Sequence, residues 1–367
     1  MQIKNLSLTN FRNYKKREFV FSPRTNLIVG RNTTGKTNLL EAIFLLSSGT
    51  SPQAVLDREM IKEGEELAFV IGGIIDGSVA KELEVQLIAS KNFPTFERQR
   101  KSGVEVKAEA RTVTTKKFKI NGVAKRLGDF LPEFHVVLFS PEDLNLVAGS
   151  PDLRRRFLDL ALSNVEFRYR YAATEYEKVR KRRNRLLERI NVGEAKESEL
   201  SFWDAKLLEF GTFIQDERKK FFNEINTLIT SHFSLNYLIS GLTAERLYEY
   251  RSREIAAETT LIGPHRDDFS FLLINQSTNQ PVNLSTFGSR SEQRRAVLAL
   301  KKAELEFVER KISDRPVLLL DDIFSELDEE NRARVSSLLN EGQVIITTAD
   351  LHHIPTELQK DLRVIKL

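Results

Sequence analysis

Apolar and polar residues follow one another along this chain in patterns that predict an α/β protein. The run TNLIVG at 25–30 is continuously apolar after its first two residues, which is typical of a strand inside a parallel sheet. The next apolar stretch, at 36–49, has helical spacing, and Gly49 is placed to end that helix. Residues 65–125 predict a β-rich region with a hairpin at Asn121 and Gly122.

The pattern changes near residue 150, where the chain becomes charged, nearly free of glycine and helical in period. Pro151 suits the first turn of a helix. Two long segments around a polar link at 191–199 predict a helical hairpin. After 262 the pattern returns to mixed α/β, with a helix at 291–311. We therefore expect an α/β domain that begins with residues 1–149, is interrupted by a helical insertion at 150–261, and resumes at 262–367.

The composition excludes several classes of protein. The 367 residues contain no cysteine, which excludes disulfides, thiolate zinc sites and cysteine nucleophiles. No apolar run approaches the roughly 18 residues that span a bilayer, and the N-terminus lacks the apolar core of a signal peptide. We therefore expect a cytoplasmic protein with no membrane association.

The positive charge is concentrated although the net charge is only +4. Lys and Arg cluster in RRR at 154–156 and in KVRKRRNRLLER at 178–189. Concentrated basic blocks indicate a surface for nucleic acid or another polyanion. The alternative for each block is an ordinary solvated helix face.

A phosphate-binding loop is the clearest motif. The eight residues GRNTTGKT fit G-x-x-x-x-G-K-[ST], between a predicted strand and a predicted helix. In such a loop Lys36 reaches the β- and γ-phosphates, and the Thr37 hydroxyl is offered to Mg²⁺. The expected nucleotide-binding residues are Gly30, Arg31, Asn32, Thr33, Thr34, Gly35, Lys36 and Thr37.

An acidic strand end supplies the second element that a nucleotide site needs. PVLLLDDIFSELD at 316–328 ends an apolar strand in paired carboxylates, at the sheet edge where α/β proteins bind ligands. We expect Asp321 to hold the metal with Thr37, and Asp322 to orient or deprotonate the attacking water. A simple turn signal is the alternative for the Asp-Asp pair alone.

A serine-rich turn precedes this strand. In NLSTFGSRSEQRR, Ser289 lies near a helix start, where free N–H groups and the helix dipole favour an anion. The alternative is an ordinary helix cap made by Ser291. One nucleotide cannot easily use both helix ends of one subunit. We therefore expect ATP to lie between the phosphate loop of one subunit and Ser289 of another.

The order of these motifs resembles that of the ABC-type ATPases, with SELD at 325–328 as the D-loop. Within that group the chain resembles the RecF family of bacterial recombination and gap-repair proteins over essentially its whole length. The blocks that carry the resemblance are LTNFRNY at 8–14, GKTNLLEAIFLLSSG at 35–49, VLFSPEDLNLVAGSPDLRRRFLD at 137–159, GPHRDDF at 263–269 and LLLDDIFSELDEENR at 318–332.

The resemblance implies an ABC-type P-loop ATPase head like that of SMC proteins, with a helical second domain. It implies a homodimer that forms on ATP, binds double-stranded DNA near gaps, and hydrolyses ATP weakly as a clamp switch. RecF-like proteins act with RecO and RecR to load RecA on gapped DNA, in replication, recombination and the SOS response.

The resemblance also implies roles for single residues. Arg12 would reach the nucleotide phosphates, Asn32 would contact the γ-phosphate side, and Asp328 would lie at the dimer interface. Glu142 and Asp143 stand in the Q-loop region, which has no glutamine here, and are candidates for sensing metal or water. GPHRDD more naturally fixes a turn between domains than performs chemistry. The candidates for neutralising the DNA backbone are Arg154, Arg155, Arg156, Lys178, Arg180, Lys181, Arg182, Arg183 and Arg185.

The chain departs from the family pattern at Ser291 and Glu292, where RecF proteins usually carry Gly and Gln. A negative charge there weakens the expected closure of the dimer on ATP. Three alternatives remain open: a small-molecule phosphotransferase, a transporter ATPase subunit and a nuclease of the OLD group. A transporter subunit would need a Q-loop glutamine and a switch histidine, where Thr347 and Thr348 stand.

Overall fold

A computed structural model describes residues 1–91, 112–229, 232–274, 280–336, 342–350, 352, 354 and 362–367. Residues 92–111, which belong to the predicted β-rich region, lie outside the described residues. The strands are β1 (Gln2–Phe11), β2 (Tyr14–Val20), β3 (Thr25–Val29), β4 (Leu67–Asp76), β5 (Val79–Lys91), β6 (Thr112–Ile120), β7 (Val123–Lys125), β8 (Val136–Phe139), β9 (Phe233–Leu238), β10 (Asp268–Ile274), β11 (Pro281–Asn283), β12 (Val317–Asp321), β13 (Val344–Thr348) and β14 (Arg363–Lys366).

The helices are α1 (Lys36–Ser48), α2 (Leu127–Phe130), α3 (Pro151–Val165), α4 (Phe167–Asn191), α5 (Leu200–Leu228), α6 (Ala244–Ala256), α7 (Leu284–Phe287), α8 (Arg290–Ile312), α9 (Ile323–Glu326) and α10 (Glu329–Ser336). None of the helices within the described ranges combines the length and the apolar character that crossing a membrane requires. The elements confirm the predicted α/β class.

The chain divides into two compact units, one formed by Met1–Ser140 with Asp314–Leu367 and the other by Pro141–Ser313. These units do not follow the predicted boundaries, because residues 262–313 pack with the helical segment. Strand β10 pairs with β9, and α8 contacts α3 and α5. The assignment of this stretch to the resumed ATPase head remains a prediction.

The described residues of the first unit form two sheets. One is a five-stranded parallel sheet in the order β14-β3-β13-β12-β8. Strands β12 and β13 are buried along their whole length, which fits the run of apolar residues that begins each of them. The other is a six-stranded antiparallel sheet in the order β2-β1-β4-β5-β6-β7. The predicted hairpin is confirmed: Ile120 pairs with Val123, and the two turn residues have φ of 50° and 77°.

Helix α1 contacts strands of both sheets of the first unit. Residues on nearly every side of this helix are therefore buried, as expected for a helix that is enclosed on several sides. Leu39 and Ile43 have no exposed surface, and burial of each contributes about 1.5–3 kcal/mol. Gly49 ends the helix as predicted, with a left-handed φ of 67° and its N–H donated to the Leu45 carbonyl.

The second unit is built on the helical hairpin that the sequence predicts. Helices α4 and α5 pack together, and the link between them covers residues 192–199. Pro151 is the first residue of α3, and Ser150 caps that helix by accepting a hydrogen bond from the Leu153 N–H. A three-stranded antiparallel sheet, β11-β10-β9, completes the unit.

The GPHRDD motif lies at a buried polar cluster inside the second unit. Asp267 is fully buried and accepts hydrogen bonds from Arg218, Gln215 and the Tyr237 hydroxyl. Asp268 forms a bidentate ion pair with Arg154, whose guanidinium donates to the two carboxylate oxygens at 2.6 and 2.9 Å. The motif therefore ties helices and strands of this unit together by structural contacts.

We expect the stability of the protein to fall below pH 6.5 because of His265. Its Nε2–H donates to the Thr260 carbonyl at 3.0 Å, so Nδ1 accepts from the Tyr176 hydroxyl at 2.8 Å. Burial lowers the pKa of His265 to about 4. The unfolded chain binds the proton first, so this stability is present above pH 6.5 and is lost toward pH 4. The loss at pH 5 is about 2 kcal/mol.

Urea unfolding of the wild type and of His265→Gln at pH 7 and pH 5 measures this effect. Glutamine keeps a donor but does not titrate, and other titrating groups contribute equally to both proteins. The wild type should lose about 2 kcal/mol more than the variant over this interval. Equal losses would show that His265 does not carry the effect.

Candidate nucleotide-binding site

The phosphate loop joins the end of β3 to the start of α1. Gly35 stands at the helix start with a φ of 105°, a conformation that favours glycine. A Cβ atom there would lie 2.6 Å from the Asn13 side-chain amide nitrogen and 2.9 Å from the Tyr14 hydroxyl. Glycine is therefore required at position 35, because of the positive φ and because these neighbours leave no room for a Cβ atom.

Lys36 is held within the curve of the loop. Its Nζ donates to the carbonyls of Gly30 and Arg31, at 2.8 and 3.1 Å. The side chain is largely buried, whereas Arg31, Asn32 and Thr33 are exposed on the outer side of the loop. Phosphate oxygens would replace the two carbonyls as acceptors for this ammonium.

Asp321 meets the phosphate-loop helix at the end of β12. Its Oδ1 accepts a hydrogen bond from the Thr37 hydroxyl at 3.1 Å and another from the Thr347 hydroxyl at 2.7 Å. Burial raises the pKa of Asp321, and these two hydroxyls oppose the rise by stabilising its charged form. The structure thus brings together the two predicted metal-binding residues.

Asp322 follows with a left-handed φ of 47° and donates its backbone N–H to the Thr347 hydroxyl at 2.9 Å. Its Oδ1 is buried and has no hydrogen-bond partner among the residues that the structure describes. A buried carboxylate oxygen without a partner is unfavourable unless water or a cation completes the site. This geometry fits the predicted role of Asp322 beside a hydrolytic water.

The donor set fits Mg²⁺. This ion is usually bound through one or two carboxylates together with substrate phosphates, with water completing its coordination. Within the described residues no group of three or more His, Cys, Asp or Glu side chains is placed to hold a metal by itself. Thr37 and Asp321 would hold Mg²⁺, which would neutralise charge on the phosphates.

Asn13 and Tyr14 are site residues that the sequence analysis missed. The Tyr14 hydroxyl donates to the Gly35 carbonyl at 3.0 Å, and the Asn13 amide donates to the Thr34 carbonyl at 3.1 Å. Asn38 of α1 donates in turn to Asn13. The turn between β1 and β2 thus fixes the C-terminal half of the phosphate loop. The available signal was the NFRNY block, in which both residues follow Arg12 directly.

Arg12 is bound to α1 by its guanidinium. It makes two hydrogen bonds with the Glu41 carboxylate, at 2.6 and 2.7 Å, and a third with the Glu59 carbonyl. The Glu41 side chain is fully buried, and its hydrogen bond is the main cause of the raised pKa of Arg12. The predicted contact of Arg12 with phosphate remains a prediction.

The serine turn, here called the signature turn (Gly288–Gln293), begins α8 in the second unit. Ser289 is the helix cap, so the alternative in which Ser291 caps the helix is wrong. The Ser289 hydroxyl and N–H both donate to the Glu292 carboxylate at 2.7 Å, and the Glu292 N–H donates to the Ser289 oxygen at 3.3 Å. These hydrogen bonds lower the pKa of Glu292. The Glu292 carboxylate thus occupies the anion position at this helix end.

Asp328 and Asp143 have structural partners of their own. Asp328 caps α10 by accepting from the Asn331 N–H at 2.9 Å, and its side chain is exposed. Asp143 lies 4.0 Å from the buried Lys301 ammonium of α8, within the second unit. Their predicted roles, at a dimer interface and in sensing metal or water, remain predictions.

The basic candidates divide by burial. Arg183 has no exposed surface and binds Asp204, Glu254 and Thr260, while Arg154 binds Asp268. A buried guanidinium whose hydrogen bonds are all made within the protein cannot reach a DNA phosphate. The predicted DNA contacts of Arg183 and Arg154 are therefore corrected here. Arg155 and Arg180 are half-buried in ion pairs. The exposed candidates are Arg156, Lys178, Lys181, Arg182 and Arg185.

A parallel sheet that carries a phosphate loop on one strand and a buried aspartate at the end of a strand two places away is the architecture of a P-loop ATPase. The model of the RecF/RecN/SMC N terminal domain matches residues 2–365. The DNA replication and repair protein RecF of Lachnoclostridium phytofermentans is 34% identical, over 96% of this chain and 93% of that protein. The RecF of Herpetosiphon aurantiacus is also 34% identical, over 96% of this chain and 94% of its own length.

A solved structure of the recombination mediator protein RecF with ATP superposes on this chain with a TM-score of 0.80 and 30% identity. The match covers 96% of this chain and 93% of that one. The chain therefore belongs to the RecF/RecN/SMC N-terminal domain family and, within it, to the RecF proteins.

We expect Tyr14→Phe to weaken ATP binding without unfolding the protein. The change removes the hydrogen bond to the Gly35 carbonyl, which is worth about 1 kcal/mol, or about fivefold in Kd. Calorimetric titration with ATP and a thermal melt measure the two effects. Tyr250→Phe, on α6 of the second unit, is the control and should leave the Kd unchanged. An unchanged Kd for Tyr14→Phe would contradict a positioning role of the hydroxyl.

Proposed function

We propose that the chain is an ATP-gated DNA-binding protein of RecF type. It binds ATP with Mg²⁺ in the cytoplasm, dimerises head-to-tail on ATP, and holds double-stranded DNA near single-strand gaps. Its family implies RecR and RecO as partners and the loading of RecA as its task. The observation that carries the proposal is the contact of Thr37 with Asp321, in a chain that matches RecF proteins over nearly its whole length.

The nucleotide half-site lies in the first unit. Lys36 donates to the β- and γ-phosphates, and the loop N–H groups surround them. Thr37 and Asp321 hold the metal, while Asp322 accepts a hydrogen bond from the water that attacks. Asp321 is kept at the site by Thr347, so this threonine supports metal binding indirectly. The expected hydrolysis is weak and serves to release DNA.

The other half-site is Ser289 of a second subunit. A γ-phosphate that reaches this helix end competes with the Glu292 carboxylate for the Ser289 hydroxyl and N–H. Glutamate is charged at neutral pH, and the lowered pKa of Glu292 favours the charged form further, so its carboxylate repels the phosphate. We therefore propose that closure on ATP is weaker here than in relatives with glutamine at this position.

A complementation experiment tests the composite site. Lys36→Ala and Ser289→Ala should each abolish ATP-dependent dimerisation, because each damages both sites of a symmetric dimer. In a mixture, the mixed dimer has one intact site, made from the loop of one variant and the serine of the other. Sedimentation with ATP should therefore show dimers in the mixture, all of them mixed, with at most about half of the wild-type number of intact sites. No dimer in the mixture would contradict a site shared between subunits.

A salt titration tests the DNA contacts. Lys181→Gln and Arg185→Gln each remove one exposed positive charge from α4, and each should lower the slope of log K against log salt by about one. Lys302→Gln, on α8 and 53% exposed, is the control. Duplex affinity that does not change between low and moderate salt would contradict backbone neutralisation.

A further inference from the structure

Arg31 is an exposed cation at the start of the phosphate loop. Its carbonyl accepts hydrogen bonds from the Thr34 N–H at 3.3 Å, the Thr34 hydroxyl at 2.8 Å and the Lys36 Nζ at 3.1 Å, so the loop fixes the backbone at this position. The side chain is exposed, and its guanidinium makes no hydrogen bond or ion pair with any residue that the structure describes. The loop therefore holds a positive charge at a defined place and leaves it available to a second molecule.

Glu292, in the signature turn, is an anion with one unused carboxylate oxygen. Its Oε2 accepts both hydrogen bonds from Ser289, whereas its Oε1 accepts none from the described part of the chain. Arg295 is a nearby cation on α8 and favours the charged form of Glu292, but the two side chains form no ion pair. The turn thus presents a negative charge that its own subunit leaves without a direct cationic partner among the described residues.

The composite nucleotide site brings these two charges to the same phosphate. In the proposed dimer, the γ-phosphate lies between the loop of one subunit and Ser289 of the other. Arg31 directly follows Gly30, whose carbonyl accepts from the Lys36 ammonium at 2.8 Å. On the facing subunit, the Glu292 carboxylate lies 2.7 Å from the Ser289 hydroxyl. The two charges therefore border one phosphate from opposite sides, and the long side chain of arginine extends from the loop toward the turn.

We propose that Arg31 of one subunit forms an ion pair with Glu292 of the other when the dimer closes on ATP. A guanidinium binds both oxygens of a carboxylate at once, and the unused Oε1 makes this geometry available. As the ion pair forms, the carboxylate releases the Ser289 hydroxyl and N–H to the γ-phosphate. The inference rests on the proposed function, and it identifies the contact that offsets the repulsion between Glu292 and the nucleotide.

The symmetry of a head-to-tail dimer doubles this contact. Each subunit supplies one Arg31 and one Glu292, so every closed dimer contains two such ion pairs. A single exposed ion pair contributes little, but two pairs that form in the same closing step act together. Complementary charges at an interface also select the partner, because like charges at the same two positions repel. The pair therefore favours association with a second copy of this chain.

Two charge reversals test the ion pair. A homodimer of Arg31→Glu opposes two acids at each interface, and a homodimer of Glu292→Arg opposes two arginines. In the mixed dimer both interfaces regain opposite charges. The separate effect of each charge on the nucleotide is the same in homodimers and mixed dimers, so it cancels when the mixed dimer is compared with the mean of the homodimers.

Sedimentation of the full-length proteins with ATP and Mg²⁺ gives the three dimer Kd values. The Kd of the mixed dimer should be at least about tenfold below the geometric mean of the two homodimer values, because two matched pairs replace two repulsions. Thermal melts should show both variants folded, since both side chains reach the surface.

Arg24→Glu is the matched control. Arg24 is also an exposed arginine, but it precedes β3, whereas the phosphate loop follows that strand. Mixed with Glu292→Arg, this variant should give a dimer Kd within about twofold of the geometric mean.

The wild type separates the two possible failures. If it dimerises on ATP but the mixture of Arg31→Glu and Glu292→Arg behaves like the control or forms no dimer, the ion pair alone is overturned. A wild type that stays monomeric with ATP overturns the proposed function as well.

Discussion

The buried carboxylate of Asp321 is the constraint on which the nucleotide site depends. Its charge is unfavourable in that position, as its raised pKa indicates, and the hydroxyls of Thr37 and Thr347 compensate for part of the lost hydration. These hydroxyls belong to α1 and β13, so one carboxylate fixes the spacing between a helix and two strands. The loop that precedes Thr37 is thereby held over the acidic sheet edge.

Much of the fold could be predicted because its signals are local. The apolar run of β3, the period of α4 and α5, the stop at Gly49 and the turn at Asn121–Gly122 each depend on neighbouring residues. The contact of Tyr14 with the Gly35 carbonyl could not be predicted in this way, because it depends on how the turn between β1 and β2 approaches the loop. Thr347 likewise becomes important only through the parallel register that sets it beside Asp321.

For the basic residues, the position of each one along its helix predicts burial better than composition does. Arg183 lies three or four positions from Val179, Leu186 and Leu187, which are all buried, so its helix position indicates burial. Arg154 similarly precedes the buried Phe157 and Leu158 on α3. The helical periodicity of the sequence does not reveal which acidic residues compensate these charges. Those acids, Asp204, Glu254 and Asp268, come from distant elements.

The strand that carries the phosphate loop, β3, is synthesised long before the strands that pair with it. Both sheet neighbours of β3 are C-terminal strands, β13 and β14, and the nearer one begins at Val344. During translation the loop is therefore made long before any strand can pair beside it, and the second unit is synthesised in between. Domains fold as units while the chain is being made, and such distant pairing is slow. A chain interrupted before Val344 would thus contain the complete phosphate motif but lack both strands that pair with β3.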